Sequence, residues 1–113
     1  MSDHDHHHHH DHSHDTHPHQ LQPPHEVFHD AKAGEVARVW ISNGALSLAL
    51  HAGAFGKAEP WGHVLASMAQ QVAAACAELG HGTASGNFAE IRKALNDDMA
   101  KAAGQMSALG NKS

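Results

Sequence analysis

The sequence predicts an α+β fold: a β-hairpin followed by two amphipathic helices packed on one face of it, behind a disordered N-terminal tail. Three observations carry this. Two short apolar stretches with a period of two flank Asn43-Gly44, two longer stretches downstream repeat at the helical period, and the first nineteen residues offer nothing that builds a core.

The hairpin comes first. Glu35-Val36-Ala37-Arg38-Val39-Trp40-Ile41 alternates so that Val36, Arg38 and Trp40 share one face, with Ala37, Val39 and Ile41 on the other. Ala45-Leu46-Ser47-Leu48-Ala49-Leu50 places three leucines on one face, and Asn43-Gly44 supplies the positive φ angles of a tight turn. After a glycine-rich connection, Glu59-Pro60-Trp61 starts a helix, because proline in the first turn gives up an amide that has no intrahelical partner anyway. Trp61, Leu65, Met68, Val72, Ala75 or Cys76, and Leu79 recur at helical spacing, and Gly80 is the expected stop. A second helix is expected from about Asn87, with Asn87 as cap and Glu90 reaching back, and with an apolar stripe of Phe88, Ile91, Leu95, Met99, Ala102 and Met106. Gly104 and Gly110 weaken its end.

A lone two-stranded hairpin is marginal in water, and its open edges invite a further strand. A homodimer that extends the sheet is the expected solution. The domain organisation reads as a tail over residues 1–19, a linker over 20–34 and a small α+β domain over 35–110. The linker carries Pro23-Pro24 and ends in Ala33-Gly34, and Val27-Phe28 is its one apolar pair able to dock.

The tail holds the chemistry. Ten of its nineteen residues are histidine (His4, His6, His7, His8, His9, His10, His12, His14, His17 and His19), and four are aspartate (Asp3, Asp5, Asp11 and Asp15). Neutral imidazole is a ligand for zinc, nickel, cobalt and copper(II). Carboxylates add oxygen donors or orient the imidazoles. An affinity tag is an uninterrupted run, whereas here aspartate, serine, threonine and proline are interleaved and no linker or protease site follows. All fourteen residues are the expected metal ligands, with no cysteine among them to favour copper(I). Should Met1 be removed, the amine of Ser2, two backbone amides and the His4 imidazole would form a square-planar site suited to copper(II) or nickel(II).

Charge and composition exclude other classes. Four of the 12 acidic residues lie in the tail, leaving eight acids against seven bases, so no basic nucleic-acid footprint exists. No membrane segment or apolar leader is read, and the expected compartment is the cytoplasm. Cys76, the single cysteine, falls on a helical apolar pattern and reads as a small core residue. Glu35, Arg38, Asn43, His51, His63 and His81 are the candidate catalytic groups. None belongs to a recognised spacing, with no His-Glu-x-x-His, Cys-x-x-Cys, Gly-x-Ser-x-Gly or phosphate loop, and the expectation is of no enzyme.

Glu35-Val36-Ala37-Arg38-Val39-Trp40-Ile41-x-Asn43-Gly44, followed by Trp61-Gly62-x-x-Leu65, resembles a family of short bacterial proteins catalogued as domain of unknown function 5076, over roughly residues 33–82. The resemblance implies a hairpin with the first helix packed on it and names no reaction. It also implies no constant histidine tract, so the tail is an addition in this member. The functional expectation is a divalent-metal binder, buffering or delivering nickel, zinc or cobalt through the tail, with an unidentified protein partner for the domain. The alternative is an interaction or assembly module whose metal-binding tail is incidental.

Overall fold

A computed structural model describes residues 16–110. The elements are a 3-10 turn (His25–His29), strands β1 (Ala37–Ser42) and β2 (Ala45–Leu50), and helices α1 (Glu59–Glu78) and α2 (Ala84–Gly110). This is the α+β order read from the sequence, an antiparallel hairpin followed by two helices that pack together. The chain divides after Leu50 into a hairpin unit and a helical unit.

In the hairpin unit, Asn43 and Gly44 both take positive φ, at 53° and 76°. That is the pair of left-handed residues whose twist matches the flanking strands. The turn sets the register: Ala37 lies opposite Leu50, Val39 opposite Leu48, and Ile41 opposite Leu46. Directly opposed residues share a face, so these six make the apolar face, while Arg38, Trp40, Ala49 and Ser47 make the other. The strand begins two residues later than the sequence pattern indicates, at Ala37 and not Glu35. Before it, the 3-10 turn is held by Val27 N–H to Pro24 O (3.1 Å) and Asp30 N–H to Val27 O (3.2 Å). The Val27-Phe28 pair stays in the open, with Phe28 68% exposed.

In the helical unit, α1 starts with Pro60 in its first turn and spans roughly 30 Å at 1.5 Å per residue. Its end is a Schellman motif. Gly80, at φ 89°, donates to Ala77 O (3.0 Å), and His81 N–H closes the longer bond to Cys76 O (2.9 Å). Trp61 packs edge-on against Phe55, ring centres 5.3 Å apart, and its Nε1–H points at Ala52 O at 3.4 Å.

The start of α2 differs from the expected one. The helix begins at Ala84, three residues before Asn87, and Thr83 is the cap: its Oγ1 accepts Gly86 N–H at 3.1 Å while its carbonyl accepts Asn87 N–H at 2.8 Å. The Ser85-Gly86 pair reads as a breaker in isolation, yet glycine in a first turn costs little beside a satisfied cap. Asn87, released from capping, turns its amide back. Its Nδ2 donates to His81 O at 2.7 Å and to Ala73 O at 3.2 Å, so one side chain ties α2 to the connecting loop and to α1. Gly104 does not end the helix, which runs on to Gly110.

Among the described residues Ala73 is the one buried apolar side chain, at 1% exposure, and it sits where the two helices cross. Trp61, Val64, Ala69, Cys76, Ala77, Phe88, Ile91 and Ala102 are half-buried. Leu65, Met68 and Val72 are each exposed to nearly half of their surface.

Asn87→Ala removes both side-chain bonds, each with a net contribution of about 0.5–1.5 kcal/mol, so unfolding by urea should show a loss of about 1–3 kcal/mol. A change under half a kcal/mol would mean that the clasp is not formed. Gly44→Val sets a β-branched residue at φ 76° and should lower stability by about 1–2 kcal/mol, read as loss of strand signal by circular dichroism at a lower midpoint.

Candidate functional site

The tract enters the described structure only at its end. His4, His6, His7, His8, His9, His10, His12 and His14, with Asp3, Asp5, Asp11 and Asp15, lie outside the described residues. His17 and His19 are described, and they sit at the base of the tract against the hairpin.

His17 meets Trp40 edge to face, with ring centres 5.0 Å apart and planes at 73°. Its Nδ1 accepts the His19 backbone N–H at 3.1 Å, and the His19 ring lies 5.5 Å away at a tilt of 45°. This bond has a chemical consequence. An Nδ1 that accepts leaves the neutral ring with its proton on Nε2, so neither nitrogen of His17 presents a free lone pair. His17 must release the His19 amide before it ligates an ion, whereas the exposed His19 enters that hydrogen bond only through its backbone N–H.

Beyond His19 the chain continues along β1 and encloses a cavity of about 240 Å³ with it. Trp40 and Val39 supply strand walls, Leu21 and Pro23-Pro24 the opposing ones, and Arg38 and Glu35 bring charge. Arg38 Nη2 donates to Glu35 Oε1 at 2.9 Å and its Nε to Oε2 at 3.4 Å, a two-bond clamp on the carboxylate. Glu35 is exposed and Arg38 half-buried, so the pair lies at the surface rather than in a core. Residues 20–24 therefore line a recess, a role that their polar, proline-rich composition does not disclose.

Among the described residues three histidines stay apart from any other histidine ring: His51, His63 and His81. His51 and His81 are exposed, and His63 is 79% exposed with its Nε2 3.9 Å from Glu59 Oε2, one turn earlier on α1. Asn43 serves the turn. Cys76 is a half-buried free thiol, in keeping with its expected packing role. In the helical unit a more open recess of about 260 Å³ is lined by Gln70, Ala73, Ala84, Ser85 and Phe88, with no ionisable group. Among the described residues no group of three or more His, Cys, Asp and Glu side chains converges as a metal centre. No described helix is long and apolar enough to cross a membrane.

The model of a domain of unknown function, DUF5076, matches residues 20–103, and the chain belongs to that family. The match starts just after His19, so the family's domain includes residues 20–24, which line the recess beside β1, and leaves the histidine tract outside it. Among solved structures, a chain from the photosynthetic bacterium Rhodopseudomonas palustrus CGA009, provisionally named a pyruvate dehydrogenase, is similar at 28% identity and a TM-score of 0.61, over 74% of this chain and 85% of that one. No curated protein matches.

The half-buried Trp40 ring forms one wall of the β1 recess and carries the His17 contact, so Trp40→Ala should cost about 1–3 kcal/mol, below the range of a fully buried tryptophan. Differential scanning fluorimetry with an external dye checks this. An unchanged midpoint would show that residues 17–24 do not rest on the strand.

Proposed function

We propose that this protein binds divalent metal ions through its N-terminal tract, buffering or delivering nickel, zinc, cobalt or copper(II), on a small DUF5076 domain that associates with itself. The observation that carries this is compositional: ten imidazoles and four carboxylates in nineteen residues, with no lysine or arginine to repel a cation. Two to four imidazoles per ion give roughly two to five overlapping, exchangeable sites. The end of the tract rests on the hairpin through the His17–Trp40 contact, so ions held there stay near the domain. The name of the Rhodopseudomonas chain belongs to that chain, and the metal proposal takes nothing from it.

A second reading, an assembly module with an incidental tail, is favoured by the small core. With Ala73 alone buried among the described residues and Leu65, Met68 and Val72 nearly half exposed along α1, the chain gains much apolar burial from a second copy. The two readings are compatible, since a dimer doubles the tracts on one particle.

Equilibrium dialysis of the full chain against nickel(II) or zinc(II) should show several ions per chain with graded affinity. Binding should weaken steeply between about pH 7 and pH 5.5, because protons compete for imidazole. Replacing the ten tract histidines by serine should remove most of that capacity. Unaltered capacity in the substituted chain would end the tract proposal. Sedimentation should give a homodimer for both proteins at micromolar concentration, and a monomer in both would remove the assembly reading.

A further inference from the structure

Six residues beyond the tract's last histidine, His25 and His29 fall at the two ends of the 3-10 turn. Their Nε2 atoms lie 3.2 Å apart, with ring centres at 4.9 Å and planes at 64°. Among the described residues no other two histidines bring ring nitrogens this close, and both rings are exposed. We propose that His25 and His29 form a bidentate site for a borderline divalent ion, zinc(II), nickel(II) or copper(II), separate from the tract.

The geometry suits two cis ligands. Bonds of about 2.0–2.1 Å place two nitrogens roughly 3.3–3.4 Å apart at the tetrahedral angle and about 2.9 Å apart at a right angle. The observed separation falls between these values, so an ion can enter with small ring rotations. Without it, the Nε2–H of one ring donates to the lone pair of the other. Binding requires both rings as neutral Nδ1–H tautomers. The acceptor is already one, and the donor moves its proton from Nε2 to Nδ1 through solvent, with no net release from a neutral pair. A pair that holds an extra proton gives it up.

The backbone under the rings is set beforehand. Pro24 O accepts Val27 N–H, Val27 O accepts Asp30 N–H, and Asp30 Oδ1 accepts Lys32 N–H at 2.9 Å, so the turn is tied at both ends. Little chain ordering remains to be done when the ion arrives, in contrast to an array of ligands on an unstructured segment. Glu26 and Asp30 each follow one of the histidines and add negative charge near the dication. Because both rings are exposed, the other coordination positions are open to water or to a further imidazole. A site with open positions accepts an ion from the tract or passes one to it by ligand exchange.

This site extends the metal-binding proposal to the folded part, and the two fail separately. The test uses the full-length chain with all ten tract histidines replaced by serine, titrated with zinc(II) and with nickel(II) alone. One ion per chain is expected, with the imidazole nitrogen resonances of His25 and His29 shifting together on zinc(II) binding. Adding His25→Ala or His29→Ala should each weaken that ion on the order of tenfold or more, since one of two protein bonds is lost. Circular dichroism should show the fold unchanged, because both rings are exposed. No binding to the tract-substituted chain, or binding that neither alanine variant alters, overturns the site. In either case several ions on the wild-type chain would leave the tract proposal standing. Conversely, equal capacity in the wild-type and tract-substituted chains, lost with His25→Ala, would sink the tract proposal and keep the turn.

Discussion

The helical unit depends on one amide. Asn87 donates to the carbonyls of His81 and Ala73, and with those two bonds it joins the first turn of α2, the loop and the middle of α1. Ala73, the buried residue of that crossing, has too small a side chain to lock two helices by volume. Directional bonds therefore supply what packing does not, holding the start of α2 to the loop and to α1 at defined angles. The loop is shaped to allow the reach. Gly82 has φ 72°, and a Cβ there would meet Asn87 Oδ1 at 2.7 Å, so the glycine makes room for the side chain.

The hairpin unit is organised from its turn and from a segment outside the strands. Asn43-Gly44 sets the register, and the register collects Val39, Ile41, Leu46, Leu48 and Leu50 on one face. The opposite face carries Trp40 and Arg38, and residues 19–24 lie beside it. Because the family match begins at residue 20, that segment belongs with the domain by similarity as well as by geometry.

The two metal-binding proposals ask different things of histidine, and local bonding separates them. In the tract its value lies in number, and His17, whose Nδ1 is used for a backbone bond, shows how a fold withdraws an imidazole from ligation. In the 3-10 turn its value lies in placement, with two ring nitrogens held at the separation that a metal demands. The first arrangement favours capacity and exchange, the second a defined stoichiometry. Both proposed arrangements rely on neutral nitrogen donors, so protons compete with the ion in each.

Much of the fold was legible in the chain, since each element rests on a local rule. Period-two alternation around Asn43-Gly44 defines the hairpin, and Pro60 and Gly80 bracket α1, because strand pleat, turn torsions and helix ends are decided within a few residues. The tract's ligand chemistry is equally local, a matter of composition alone. Three features were not legible. The start of α2 fell to Thr83 because Asn87 found better partners in Ala73 and His81, fourteen and six residues away. Residues 20–24 line a recess against β1 although their composition reads as a spacer. His25 and His29 are brought together by a turn whose backbone hydrogen bonds set the two Cα positions, where spacing alone shows only two polar residues in a linker. Local propensity determined the elements; tertiary structure decided which side chains find partners across them, because that depends on distances that close only when the chain is folded.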